Sequence, residues 1–347
     1  MATGRVTMED VAARAGVSRA LVSIVFRGVA GASDETRARV LAAASDLDYR
    51  PDTRASRLGR GRTRMLGVTF AVGHAFHGEV LRSLYTEADA VGYEVVLSGV
   101  TPDRSDTDAV DTLLAERCEG LVLVGSDLAT GAMARLAERL PVVSVLRPAR
   151  RASGVGVVRT DDALGMRLAV EHLRGLGHER IGLLDGGRAP GAAERRQGYR
   201  RGMRSAPGLH ALVMPGGLTE LDGAAAARAF LAMNAPRPTG VVAFNDRCAL
   251  GFVDVVRQAG VRVPQDVSVV GFDDIEQAGY PHVALTTVRQ DAARLGAEAV
   301  RTVTGQLDDA GAVEAAEPTG AVIEPELVVR SSTAPPSAGR VAAPPKS

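Results

Sequence analysis

The residues of this chain best placed to do chemistry are polar side chains that stand directly after apolar, β-rich runs. Asn245 and Asp246 follow Val241 to Phe244, and Phe272, Asp273 and Asp274 follow Val267 to Gly271. Ligands of parallel α/β folds lie at the carboxyl ends of strands, so an amide and carboxylates at those points suit the binding of hydroxyl groups. Structural alternatives stand beside them: Asp246 could cap the following helix, and Asp274 could be a turn residue. Catalytic motifs are missing. The chain has no G-x-S-x-G elbow, no H-E-x-x-H and no Walker loop, and Gly154-Val-Gly156-Val-Val-Arg159 lacks the third glycine of a dinucleotide fingerprint. Cys118 and Cys248 lie far apart and outside any Cys/His cluster, so neither a disulfide framework nor a metal site is expected. These features point to binding, to no enzyme, and to no cofactor.

Charge locates a second kind of chemistry. The 347 residues hold 41 basic and 41 acidic side chains, yet residues 1–64 carry twelve arginines against seven acids. An excess of five positive charges therefore sits in a short N-terminal module, and the rest of the chain carries the matching deficit. Such a concentration is the footprint of nucleic-acid binding. With 3% aromatic residues and no Trp, stacking platforms for single strands are not expected. The N-terminus lacks an apolar leader core and no window is long enough for a membrane span, so the expected location is the cytoplasm.

The elements that must position these residues differ between the two parts. In the head, Thr7 and Asp10 have the spacing of a capping box, opening a helix from Met8 to Arg14 with Val11 and Ala12 inward. Gly16 supplies a tight turn and Ser18 caps a second helix, with Leu21, Val22 and Val25 as its apolar stripe. A third helix is capped near Ser33, carries Val40, Leu41, Ala44 and Leu47, and stops before Tyr49-Arg50-Pro51. Helix, glycine turn, helix and a supporting helix make a helix-turn-helix unit, although any three-helix bundle can show this pattern. From Leu66 onward, β-rich runs alternate with amphipathic helical stretches, which implies parallel sheets with right-handed crossovers in two comparable halves.

Thr7-Met8-Glu9-Asp10-Val11-Ala12, then Ala15-Gly16-Val17-Ser18, then Val22-Ser23 resembles the N-terminal signature of the lactose-repressor (LacI/GalR) family. Tyr49-Arg50-Pro51-Asp52 with Ala55 and Leu58 resembles that family's hinge segment. The resemblance implies an all-α helix-turn-helix domain (1–50), a hinge helix and linker (51–64), and a bilobed α/β periplasmic-binding-protein-like domain with two parallel sheets (65–331). Its first lobe would span about 65–159 and 291–319, its second about 160–290 and 320–331, and 332–347 would be a disordered tail. DNA contacts would come from Thr7, Ser18, Arg19, Ala20, Ser23, Ile24 and Arg27, with the second helix in the major groove. Arg19 is the leading base reader, with a solvated surface arginine as the alternative. Ile24 departs from the pattern: many relatives have an arginine there, whereas isoleucine offers only apolar contact, for instance to a thymine methyl. In the hinge, Arg54 would contact phosphate or belong to a flexible tether, Ala55 would pack closely and Leu58 would wedge into the minor groove; the alternative for Leu58 is an ordinary core leucine.

For the effector, Glu194-Arg195-x-x-Gly198-Tyr199 resembles the motif whose arginine holds the ligand. Asn245 and Asp273 match the family's amide and carboxylate, and Gln290, within Arg289-Gln290-Asp291, lies at its second crossover. Phe76 would stack on a sugar face, while His74 and His77 are expected to be solvated loop residues. Leu146 stands where some sugar-sensing relatives carry an acid, so no particular sugar is implied. The implied function is a homodimeric, sequence-specific regulator of transcription, a repressor of operator DNA controlled by a small effector such as a sugar or polyol. The alternative is a sugar-binding protein without a DNA role.

Overall fold

A computed structural model describes residues 6–26, 28–50, 62–148, 154–205, 207–234, 236–309 and 320–337. The chain divides into two compact units after Thr63. Arg27 and the hinge positions Arg54, Ala55 and Leu58 lie outside the described residues.

In the first unit, α1 (Met8–Ala15), α2 (Arg19–Phe26) and α3 (Asp34–Asp46) enclose a small core of Val11, Ala12, Val22, Val25, Val40, Ala43 and Ala44. Thr7 and Asp10 form the reciprocal capping box, and Gly16 ends α1 at φ 63°. Ser18 Oγ accepts the Leu21 amide at 3.3 Å and so opens α2. Leu21 is only half-buried and Leu41 is 49% exposed, so neither belongs to the core expected of it. Val22 and Val25 are one turn apart, and that i, i+3 pair, with Phe26 packed against it, makes the α2 contact. Removing the cap, as in Thr7→Ala, is expected to lower the stability of this unit by about 1 kcal/mol, read as a lower thermal midpoint of its transition.

The second unit holds two six-stranded sheets. The first contains β1 (Met65–Ala71), β2 (Glu94–Val100), β3 (Gly120–Val124), β4 (Val142–Val145), β5 (Val155–Thr160) and β11 (Gly320–Ile323), all parallel. The second contains β6 (Arg180–Asp185), β7 (His210–Pro215), β8 (Gly240–Ala243), β9 (Ser268–Asp273), β10 (Thr286–Arg289) and β12 (Glu326–Val328), of which only β12 runs antiparallel. The central strands are uninterrupted apolar runs, as strands covered on both faces by helices must be. The helices are α4 (Ala75–Ala90), α5 (Asp106–Ala115), α6 (Thr130–Ala137), α7 (Asp162–Gly175), α8 (Ala192–Arg204), α9 (Glu220–Leu231), α10 (Asp246–Gln258) and α11 (Ala292–Asp309).

The chain passes between the sheets three times, after Thr160, after Arg289 and after Ile323. Two sequence expectations are corrected by this path. Gly320–Ile323 pairs with Val157–Thr160 in the first sheet, so the second lobe regains the chain only at Glu326. Residues 332–337 are also not a loose tail. Ser332 is 2% exposed, donating to the Val269 carbonyl and accepting the Thr286 amide, and Ala334 is held by Ser268 and His178. Paired backbone groups along β9 hold this segment where its Pro- and Ala-rich composition alone suggested disorder.

Candidate functional site

The α8 helix has to approach α7 closely, and its glycines permit it. A Cβ at Gly198 would meet the Ala163 backbone and one at Gly202 the Val170 side chain. Tyr199, fully buried, donates from its hydroxyl to the Ile181 carbonyl at 2.7 Å and locks α8 onto β6. Arg195 on the same face is thereby pressed into the interior, 7% exposed. Its guanidinium carbon lies 3.6 Å from the centroid of the Phe272 ring and 4.6 Å from that of Phe244. Nε donates to Asp162 Oδ1 at 2.7 Å, Nη1 to the Phe244 carbonyl, and Nη2 stands 3.5 Å from Asp273 Oδ1.

Two carboxylates thus share one cation. Burial pushes both Asp162 and Asp273 up to about 6, against the opposing pull of Arg195. Gln290 Nε2 donates to Asp273 Oδ1 at 2.7 Å, and Gln290 also lines a cavity of about 650 Å³ together with Glu79, Ser83, Asp274 and Ala292. The strand end is strained: Asp273 has φ 118° and Asp274 φ 60°. Such conformations cost on the order of 1–3 kcal/mol per residue and persist where neighbours over-determine them. Here Arg195 and Gln290 hold Asp273, while Arg289 and Arg330, each 2.7 Å from its carboxylate, hold Asp274.

Arg195, Asp273 and Gln290 are therefore brought together. Asn245 is placed differently: its Oδ1 accepts the Cys248 amide at 2.8 Å, capping α10, and its Nδ2 donates to the Leu218 carbonyl at 3.0 Å. Asn245 is thus the cap, in place of Asp246. Asp246 is fully buried, accepting from Thr287 Oγ1 and the Ile275 amide; burial and the nearby Asp273 push its pKa well above the carboxylate range. Phe76 stacks on nothing open. It is 1% exposed within the first-lobe core beside Val80 and Leu84, because it faces inward from the first turn of α4. The histidines, expected in solvent, pack instead: His74 and His77 stack with centroids 4.3 Å apart, and His77 Nδ1 accepts the Ala71 amide at 3.1 Å. Asp162, Phe244 and Phe272 were not anticipated. Asp162 stands just past the end of β5, so the strand-end rule that selects Asp273 would have found it.

In the head, Ser18, Arg19 and Ala20 are exposed at the start of α2, and Ser23 and Ile24 are half-buried one turn on. Arg19 lies 3.6 Å from Glu9, with side chains 68% and 73% exposed. Thr7 is exposed but engaged in its cap. The first unit therefore offers the N-terminal turn of its second helix to solvent, the part that a helix-turn-helix domain inserts into the major groove.

The profile of bacterial regulatory proteins of the lacI family matches residues 7–52, and that of the periplasmic binding protein-like domain matches residues 170–333. The HTH-type transcriptional regulator MalR of Streptomyces coelicolor is 35% identical over 342 residues, covering 94% of this chain and 96% of the relative. This chain belongs to the LacI family. Among solved structures, the lac repressor dimer bound to operator and the anti-inducer ONPF aligns with a TM-score of 0.79 at 29% identity, covering 95% of this chain and 99% of that one. A complex of the regulator CelR with cellobiose aligns at 0.69 and 30% identity, covering 94% and 100%. As a LacI-family member the protein is a DNA-binding transcriptional regulator that joins a helix-turn-helix domain to an effector-binding domain. No described helix is long and apolar enough to cross a membrane.

Proposed function

We propose that the protein is a homodimeric repressor, acting in the cytoplasm by binding and not by catalysis, whose operator affinity responds to a sugar or related polyol. Arg19 and Ala20 read base edges, Ser18 and Thr7 position the helix against phosphates, and Ser23 and Ile24 contact the groove floor. Beyond the described residues, Arg27, Arg54, Ala55 and Leu58 complete the contact, Leu58 as the minor-groove wedge. The effector takes Arg195, Asp273 and Gln290.

The observation that carries the effector reading is the buried guanidinium held between two carboxylates at strand ends, one of them bonded to Gln290, which itself lines a cavity. Charged donors and acceptors side by side satisfy vicinal hydroxyls with charge-assisted bonds, and the Phe244 and Phe272 rings that clasp Arg195 set its orientation. Two relatives support the assignment, one crystallised with cellobiose and the other with ONPF and operator. The effector regulates only by binding two states of the body unequally, since equal affinity shifts nothing. Two-fold symmetry follows from reading two half-sites.

Selection of genomic fragments bound by the full chain tests this function. Enrichment of a two-fold symmetric site of two half-sites is the expected result. Recovery of no palindrome would favour a sugar-binding protein without a regulatory DNA role.

A further inference from the structure

The two lobes also meet through Arg247. Arg247, in the first turn of α10 in the second lobe, donates from Nη1 to the carbonyl of Gly73, in the first-lobe loop that follows β1. The rest of its guanidinium is a fork on Glu220: Nε donates to Oε1 at 2.8 Å and Nη2 to Oε2 at 2.6 Å. A bidentate arginine–carboxylate pair fixes the guanidinium plane, so its remaining N–H is aimed and not free to wander. The Arg247 bond holds the Glu220 carboxyl below the usual carboxylate range, so both ends stay charged.

The base of this fork is rigid. Helices α9 and α10 touch backbone to backbone: a Cβ at Gly251 would strike the Glu220 carbonyl, and one at Gly223 the Cys248 carbonyl. Thr219 and Asp222 close a capping box around Glu220, and Asn245 ties the Leu218 carbonyl to the start of α10. Arg247 therefore reaches the first lobe from a pair of closely packed helices.

What it holds there matters to the site. Gly73 is followed by His74, whose ring stacks on His77 and lies within the field of both Arg195 and Arg247. Burial and those two cations hold His74 down to about 4, leaving a neutral imidazole. Its Nδ1 is buried and has no hydrogen-bond partner. Beneath it His77 is fixed by the Ala71 amide and by Gly125, where a Cβ would run into the His77 ring.

We propose that Arg247, braced by Glu220, is the clasp that ties the second lobe to the Gly73–His74 loop of the first and fixes the position of that loop. The clasp gives Arg247 a positioning role and names a contact through which the two lobes meet.

Amide hydrogen exchange of the full chain, without ligand, tests the clasp. Arg247→Ala is expected to raise exchange in the 72–79 segment by roughly tenfold or more, because a hydrogen bond from a charged donor is lost. Exchange within β6 and β8 should stay unchanged. Arg247→Lys, which keeps the cation but not the fork, and Glu220→Gln, which keeps the shape but not the charge, should fall between wild type and Arg247→Ala. Wild-type exchange at 72–79 in both Arg247→Ala and Glu220→Gln would overturn the clasp, as would equal acceleration of every segment, which marks a merely structural role. Enrichment of a palindrome alongside either of those results would sink the clasp alone and leave the regulatory function intact.

Discussion

Replacing Arg195 with methionine is expected to destabilise the ligand-binding body by about 3–5 kcal/mol at pH 7, the penalty for leaving one side of a buried ionic group uncompensated. Methionine keeps most of the aliphatic volume between Phe244 and Phe272, so little of the loss would come from a cavity. What remains is Asp162 and Asp273, both buried, with their shared cation gone. The measurement is the denaturant midpoint at constant m-value. pH supplies the sharper check. Burial raises both carboxyls from 3.8 to about 6 in the folded chain. A carboxyl whose folded pKa lies above its unfolded value favours folding fully below the unfolded value, and that contribution is lost as pH rises through the folded one. For these two groups the contribution is present below about pH 4 and gone above about pH 6. Arg195 opposes the rise, so its removal moves both folded values higher still. The deficit of Arg195→Met relative to wild type should therefore shrink between pH 7 and pH 5. An equal deficit at both would contradict the buried-carboxylate account.

Arg19→Ala is expected to weaken operator binding by about 1–3 kcal/mol, the discrimination carried by one well-made contact of arginine to a base edge. The ion pair with Glu9 does not stand in the way, because both side chains are exposed and such pairs contribute roughly 0–1 kcal/mol. The salt dependence tells a base reader from a phosphate contact. Loss of one phosphate contact lowers the slope of log K against log salt by about 0.9, whereas loss of a base contact relaxes specificity at one base pair and leaves the slope in place. Operator titrations of wild type and Arg19→Ala over a range of salt, on the selected site and on single-base variants of it, give both quantities. A reduced slope with unchanged base preference would assign Arg19 to the backbone and leave α2 without its leading reader.

Asp273, chosen at a strand end, and Gln290, matched through the family's second crossover, are joined by a hydrogen bond. Asn245 was chosen by the same logic, yet its amide is spent on capping α10 and on the Leu218 carbonyl, which local sequence does not reveal. Phe76 fails for a geometric reason: at the start of α4 the ring can face the sheet or the cleft, and only packing against Val80 and Leu84 selects the sheet. The clasp was invisible altogether, since Gly73 and Arg247 are separated by most of both lobes and a backbone carbonyl leaves no mark in a sequence.

The sequence by itself determined the class of the protein and its division of labour. Capping residues, the turn glycine and the alternation of strands and helices act over a few residues, and the basic excess of residues 1–64 is a sum that folding does not alter. Only the tertiary structure decided which polar groups remain available to a ligand. Availability depends on what else satisfies each group, and the partners here come from distant segments: Asp162 for Arg195, Leu218 for Asn245, Arg247 for Gly73. Hydrogen bonds and burial across such separations are set when distant segments pack, within a lobe or between the two, so the head could be read from its residues while the cleft had to be seen folded.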